Sequence, residues 1–134
     1  FVSIFYGILD TRNNSLSYAN AGQNPPILFS EGNPPRLLPI RGVALGLTEN
    51  ASYEVQTVSI RPGDVLLLFS DGIIEAMNGT MEEFGEERVR NLILRNKSHP
   101  AVPIIETLFS ATHDFVSNHS QSDDMTAVLL KRNR

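Results

Sequence analysis

The sequence predicts a mixed α+β domain, and three observations support this prediction. Residues 65–69 are an unbroken run of large apolar side chains, which indicates a strand that is covered on both faces. The chain opens on β-branched and aromatic residues followed by turn residues, a pattern typical of a hairpin. Two later segments repeat apolar residues at helical spacing. With 134 residues, 41% of them hydrophobic, we expect one domain, residues 1–134, around one core.

The first part of the chain is expected to form short strands. Residues 1–9 predict a strand, residues 10–14 predict a turn, and residues 16–21 predict the returning arm of the hairpin. Two consecutive prolines then prevent ladder hydrogen bonds, before residues 27–29 resume a short strand. Residues 36–39 predict one more short strand.

The middle of the chain combines a loop with a further strand. Residues 41–47 are small and punctuated by glycine, which predicts a loop pressed closely against another part of the chain. Residues 53–60 alternate in side-chain polarity as a strand does. Because residues 61–64 have the turn sequence Arg-Pro-Gly-Asp, this strand is expected to pair with residues 65–69 across that turn.

Helices dominate the prediction for the second part of the chain. Residues 86–94 carry apolar residues on one face, with acids early and arginines late, as a helix dipole favours. Pro100 predicts the start of a second amphipathic helix that extends to about residue 118. Residues 127–130 then predict another buried strand.

An acid and a glycine follow the apolar run directly. Asp71 stands at the end of the predicted strand, and Gly72 allows the backbone to bend before residues 73–77 begin a helix. A carboxylate on a rigid strand end is a natural ligand for a hard cation. The alternative is that Asp71 only caps the following helix, and this stretch alone leaves both interpretations open.

A pair of acids precedes the last predicted strand. Adjacent residues alternate sides on an extended chain, so one of Asp123 and Asp124 can face inward while the other faces solvent or helps to position a ligand. An isolated Asp-Asp pair is more often a solvated turn. Two acidic segments, each at the end of an apolar strand, instead favour a site of hard oxygen ligands for Mg²⁺ or Mn²⁺.

The composition excludes several classes of function. The net charge of -4 comes from scattered charges without a basic run, so we expect no nucleic-acid partner. Because the chain has no Cys, it has no disulfide, no thiol nucleophile and no zinc-thiolate site, which fits the cytoplasm. No apolar stretch has the length of a membrane span. His113 and His119 lack a third ligand at suitable spacing and are expected at the surface.

Four motifs follow one another along the chain: FYGILD at 5–10, LSYANAGQNPP at 16–26, LFSDGIIEA at 68–76 and DDMT at 123–126. Together, in this order and at these intervals, they resemble the bacterial metal-dependent serine/threonine phosphatases of the sporulation stage II E and sigma-factor-regulator type. That family resembles the type 2C protein phosphatases of the PPM superfamily. The resemblance implies a β-sandwich of two sheets with flanking helices.

The resemblance also implies a reaction. Two Mn²⁺ or Mg²⁺ ions would activate a water that attacks phosphoserine or phosphothreonine directly, without a phosphoenzyme. Carried over by position, Asp71 and Asp123 would be the catalytic metal ligands, with Asp124 a neighbouring ligand of lower rank. The substrate would be a phosphorylated signalling protein such as an anti-sigma-factor antagonist, and sensor or receiver domains would lie upstream.

Other matched residues would support the site. Gly72 would permit the turn, and Asn20 and Gly22 lie in a motif whose backbone packs close to the core. That motif commonly carries His where this chain has Gln23. The family's two upstream acidic motifs, which bridge the metals, have no match in residues 1–134. The chain therefore resembles the C-terminal half to two-thirds of the phosphatase domain, and it is expected to lack the N-terminal strands and helices of that domain.

Three functional hypotheses follow. In the first, the chain is part of a protein phosphatase, is inactive alone, and tends to form a homodimer through exposed strand edges. In the second, it is a non-catalytic interaction module in a signalling cascade. In the third, it is a structural domain whose acids only form turns and caps.

Overall fold

A computed structural model describes residues 1–39, 41–119 and 123–134 of the chain. The fold divides into two compact units. The first unit comprises Phe1–Asp64 together with Arg132–Arg134, and the second unit comprises Val65–Lys131.

A three-stranded antiparallel sheet forms most of the regular structure of the first unit. Its strands are β1 (Ile4–Asp10), β2 (Ser15–Ala21) and β5 (Gln56–Ser59), in the order β1-β2-β5. The predicted hairpin is confirmed, since β1 and β2 pair over their whole length. Its turn is closed by Asp10, whose carboxylate accepts the Arg12 backbone N–H at 2.9 Å. The pKa of Asp10 is lowered, chiefly because the carboxylate also accepts the Asn13 side-chain N–H.

Two short strands complete the regular structure of the first unit. β3 (Ile27–Phe29) and β4 (Arg36–Leu37) pair antiparallel, with Ile27 opposite Leu37. All three residues of β3 are buried, and the Leu38 backbone N–H donates to the Pro26 carbonyl at 2.8 Å. The short strands predicted after the two prolines are therefore confirmed.

The glycine-punctuated loop 41–47 is pressed against its surroundings, as predicted. A Cβ on Gly42 would lie 2.6 Å from the Tyr53 ring, and a Cβ on Gly22 would lie 2.9 Å from the Cβ of Ala44. Gly22 also has a φ of 81°, which a side chain would strain. Only glycine fits at these two positions.

The pairing predicted for β5 is wrong. β5 pairs with β2, with Ser15 opposite Ser59, rather than with residues 65–69. The Ser17 and Thr57 hydroxyls, 2.9 Å apart, hydrogen-bond across this pair. The turn at 61–64 does form, because the Asp64 carboxylate accepts the Arg61 backbone N–H at 2.8 Å. It leads the chain into the second unit instead of closing a hairpin.

The second unit is built on a strand pair. β6 (Val65–Phe69) pairs antiparallel with β7 (Ala127–Lys131), with Leu67 opposite Leu129. The buried strand predicted at 65–69 is confirmed, because every residue of β6 except Leu68 is buried. β7 is more open than its apolar pattern predicted, since Val128 is 59% exposed.

Three helices complete the second unit: α1 (Asp71–Ile74), α2 (Gly85–Asn96) and α3 (Ala101–Val116). Both predicted amphipathic helices are confirmed. Their buried residues repeat at helical spacing and are Val89, Leu92 and Ile93 in α2, and Ile104, Leu108, Thr112 and Val116 in α3. The longest described helix has 16 residues, and within the described ranges no helix is both long and apolar enough to cross a membrane.

Candidate metal centre

Asp71 marks the point where the buried strand becomes a helix. β6 ends at Phe69, Ser70 is extended with φ -88° and ψ 161°, and Asp71 is the first residue of α1. The N-cap residue is therefore Ser70, so the capping alternative for Asp71 does not describe this helix. The Asp71 residue is exposed at the helix start, where a carboxylate has a favourable interaction with the helix dipole.

Gly72 brings the second acidic segment against the first. A Cβ on Gly72 would lie 2.8 Å from the carbonyl carbon of Asp124, nearer still to its oxygen, and 3.3 Å from the carbonyl oxygen of Asp123. The φ of Gly72 lies outside the left-handed region. The bend from strand to helix at this glycine therefore does not depend on a left-handed backbone. Gly72 is needed because two backbone segments approach too closely for a side chain.

Ser70 links the same two segments by hydrogen bonds. Its backbone N–H donates to the Thr126 carbonyl at 2.9 Å. Its hydroxyl donates to the Asp124 carbonyl at 3.2 Å and accepts the Thr126 N–H at 2.9 Å. Sequence reasoning missed this residue, although a hydroxyl between a buried strand and an acid was the available signal.

Asp123 and Asp124 lie just before β7. The Asp123 carboxylate accepts the Asp124 backbone N–H at 2.8 Å. Both residues are exposed to solvent, so the prediction that one of the two faces inward is wrong. Both acids therefore remain accessible to a ligand from solvent.

The donor chemistry of these segments fits a hard cation. Asp71, Asp123 and Asp124 supply only oxygen atoms, which Mg²⁺ and Mn²⁺ prefer. The close approach at Gly72 brings their backbones together. Among residues 1–39, 41–119 and 123–134, however, no group of three or more Asp, Glu, His or Cys side chains is placed to hold a metal. These residues thus fit part of a metal centre.

The remaining predicted residues lie elsewhere. Asn20 and Gly22 belong to the first unit, where the buried Asn20 amide accepts the Gln23 backbone N–H at 2.8 Å and donates to the Gln23 carbonyl at 3.0 Å. The Gln23 side chain in turn donates to the Ser3 hydroxyl at 2.9 Å. His113 and His119 are exposed, which confirms the surface position predicted for both.

Comparison with known proteins identifies the family. The model of the family Stage II sporulation protein E (SpoIIE) matches residues 1–133. The chain belongs to the SpoIIE family. Protein IcfG of Synechocystis is 33% identical over 134 residues, which are 99% of this chain and 21% of IcfG. Phosphoserine phosphatase RsbU of Bacillus subtilis is 25% identical over 135 residues, covering 98% of this chain and 39% of RsbU.

Solved structures identify the fold. The PP2C domain of SiaA from Pseudomonas aeruginosa matches 98% of this chain with a TM-score of 0.79 at 20% identity. The match covers 52% of the SiaA chain, so the present chain has the fold of part of a PP2C domain. The type 2C phosphatase-like fold predicted from the four motifs is confirmed.

Two similar structures are described with metals. The SpoIIE phosphatase domain of Bacillus subtilis presoaked with Mn has a TM-score of 0.65 at 19% identity, covering 98% of this chain and 56% of that one. RsbX in complex with magnesium has a TM-score of 0.61 at 19% identity, covering 95% of this chain and 54% of RsbX. The SpoIIE family match and the similarity to RsbU place the chain in a family of signalling phosphatases.

Proposed function

We propose that the chain is part of a metal-dependent phosphoserine and phosphothreonine protein phosphatase of bacterial signalling. The observation that carries the proposal is the convergence of the Asp71 and Asp123–Asp124 segments at Gly72 in a chain that belongs to the SpoIIE family. Support for the reaction comes from RsbU, a phosphoserine phosphatase that matches 98% of this chain.

Asp71, Asp123 and Asp124 would hold the cation, with Asp71 and Asp123 as the catalytic ligands. When bound, Mn²⁺ or Mg²⁺ would supply an activated water and neutralise charge on the phosphoryl group. The protein's own part is to hold exposed carboxylates on fixed backbone. Asp71 is fixed by the end of a buried strand, and Asp124 by the contact with Gly72 and the hydrogen bond from Ser70.

The substrate we propose is a phosphorylated signalling protein of the bacterial cytoplasm, such as an anti-sigma-factor antagonist. The chain spans less than half the length of IcfG and RsbU, so sensor or receiver domains upstream belong to this proposal as well. We further propose that the isolated chain has little activity, since acids from outside residues 1–134 would complete the metal centre.

The proposal is tested on the full-length protein and on the isolated chain. Mn²⁺ binding is measured by calorimetry, and release of phosphate from a phosphoserine protein is measured with and without Mn²⁺, each for wild type and Asp71→Asn. We expect Mn²⁺-dependent activity and tight binding in the full-length protein, and loss of both on substitution. A full-length protein that neither binds Mn²⁺ nor releases phosphate would overturn the proposal and favour the non-catalytic interaction module.

A further inference from the structure

We infer that Ser70 is a positioning residue for the metal centre, because its hydroxyl holds the backbone of Asp71 against the backbone of Asp123 and Asp124. This inference rests on the proposed function, since it concerns the same site. It assigns a role to a side chain that is not itself a metal ligand.

The hydrogen bonds of Ser70 extend the strand pair beyond its regular end. Phe69 and Ala127 are the last regular pair of β6 and β7. Ser70 and Thr126 come next, and the Ser70 N–H donates to the Thr126 carbonyl at 2.9 Å, as in an antiparallel ladder. The reciprocal bond of such a pair would join the Thr126 N–H to the Ser70 carbonyl.

The hydroxyl of Ser70 takes the place of its carbonyl in that reciprocal bond. The Thr126 N–H donates to the Ser70 hydroxyl at 2.9 Å, while the Ser70 carbonyl accepts the Ile73 N–H at 3.2 Å at the start of α1. The chain can therefore leave the sheet and begin a helix without opening the strand pair. A serine or threonine is needed here, because alanine has no atom that could accept the Thr126 N–H.

The same hydroxyl also fixes the second acidic segment. The hydroxyl proton is donated to the Asp124 carbonyl at 3.2 Å. The Ser70 side chain therefore hydrogen-bonds both Asp124 and Thr126 on the opposite segment. Two residues after Ser70, the backbone of Gly72 lies against that of Asp123 and Asp124. Loss of the hydroxyl leaves the Thr126 N–H and the Asp124 carbonyl without this partner. These two groups lie where the two ligand-bearing segments must keep a fixed separation.

The experiment compares Mn²⁺ affinity among variants of the full-length protein. Ser70→Ala removes the hydroxyl, and Ser70→Thr keeps it. Ser17→Ala is the matched control, because it removes a different serine–threonine hydrogen bond, in the first unit. We expect the Kd for Mn²⁺ to rise about tenfold in Ser70→Ala, and to stay within about twofold of wild type in the other two variants.

Hydrogen exchange of the Thr126 amide provides a second measurement. It needs no metal, and it is made on wild type and Ser70→Thr rather than on Ser70→Ala. We expect slow exchange in wild type and in Ser70→Thr. Rapid exchange in wild type, or unchanged Mn²⁺ affinity in Ser70→Ala, overturns the inference and leaves the proposed function intact. Equal loss of Mn²⁺ affinity in Ser70→Ala and Ser17→Ala also overturns the inference, because it would indicate a general loss of stability. A wild-type protein that binds no Mn²⁺ overturns both, before any variant is compared.

Discussion

Strand β6 begins after one aspartate and ends before another, and the two differ in burial. Asp64 is 4% exposed, and its carboxylate accepts the Arg61 N–H at 2.8 Å. The Asp64 backbone N–H donates a hydrogen bond to the Arg61 carbonyl at 3.0 Å, and the Asp64 carbonyl accepts one from the Arg132 N–H at 3.0 Å. Asp71 is exposed at the first position of a short helix.

This difference separates an acid that stabilises the fold from one that can bind a ligand. A buried carboxylate that closes a turn contributes to stability because its removal leaves a backbone N–H without its partner. An exposed carboxylate on a rigid strand end contributes little to stability but can reach a cation from solvent. Substitutions at and around Asp64 and Asp71 test whether the first acid stabilises the fold and the second binds a ligand.

The largest effect is expected for Gly72→Ala. The added Cβ would collide with the backbone of Asp124, which cannot move aside as a flexible side chain can. We expect a loss of about 3 kcal/mol in the free energy of unfolding, measured by urea denaturation. Gly79→Ala is the control, because its Cβ would meet only the imidazole tip of the exposed His119, at 2.8 Å. Equal stability of the two variants would contradict the close approach at Gly72.

Asp71→Asn is expected to affect binding and not stability. Removal of a carboxylate ligand should weaken Mn²⁺ binding at least about a hundredfold in calorimetry, equivalent to about 2.7 kcal/mol. Without metal, the free energy of unfolding should change by less than about 0.5 kcal/mol. Glu87→Gln, which removes an exposed charge on α2, should change neither quantity. A marked loss of unfolding free energy in Asp71→Asn would show that Asp71 stabilises the fold as Asp64 does.

The same substitution at the other end of β6 should have the opposite result. Asp64→Asn weakens a buried hydrogen bond to the Arg61 N–H, and we expect it to cost about 1 to 2 kcal/mol of unfolding free energy. Mn²⁺ affinity of the folded protein should equal that of wild type. A loss of Mn²⁺ affinity in Asp64→Asn at temperatures where the variant is folded would show that this acid is not purely structural.

The smallest effect is expected at Asp10, an acid that only closes a turn. Its pKa is lowered from the ordinary value of 3.8, first by the hydrogen bond from the Asn13 side chain and then by those from the Asn13 and Arg12 backbone. A carboxyl whose pKa is lower in the folded state stabilises the fold above its unfolded pKa, and this contribution is lost as the pH falls through the folded pKa. NMR titration of the Asp10 carboxyl should therefore give a midpoint below 3.8. Asp10→Asn should reduce the acid sensitivity of unfolding.

The local elements could be predicted from the sequence, because their signals lie within a few residues. The hairpin β1–β2, the buried strand β6 and the helices α2 and α3 all lie where polarity patterns placed them. The partner of β5 could not be predicted in this way. A Pro-Gly turn indicates a reversal of the chain, but strand pairing depends on partners distant in sequence, such as the Ser17–Thr57 hydroxyl pair.

The acids of the candidate site could be found, but not the way in which they are held. Asp71 and Asp123 were identified because each adjoins an apolar strand and matches a family motif. The role of Ser70 depends on two backbone groups 54 and 56 positions away, to which no local pattern points. The reason for Gly72 likewise depends on a distant carbonyl, so a bend was expected where a close contact occurs.

The hydrogen bonds of Ser70 also have a consequence for folding. They close a loop that contains both long helices, and closure of a loop of 54 residues costs about 3.5 kcal/mol of chain entropy. In the unfolded chain nothing holds the two acidic segments together across this loop. A cation bound by both segments would therefore select the folded chain alone. At a concentration one hundred times its Kd, it would stabilise the fold by about 2.7 kcal/mol. The concentration of divalent metal would then set the stability of the fold.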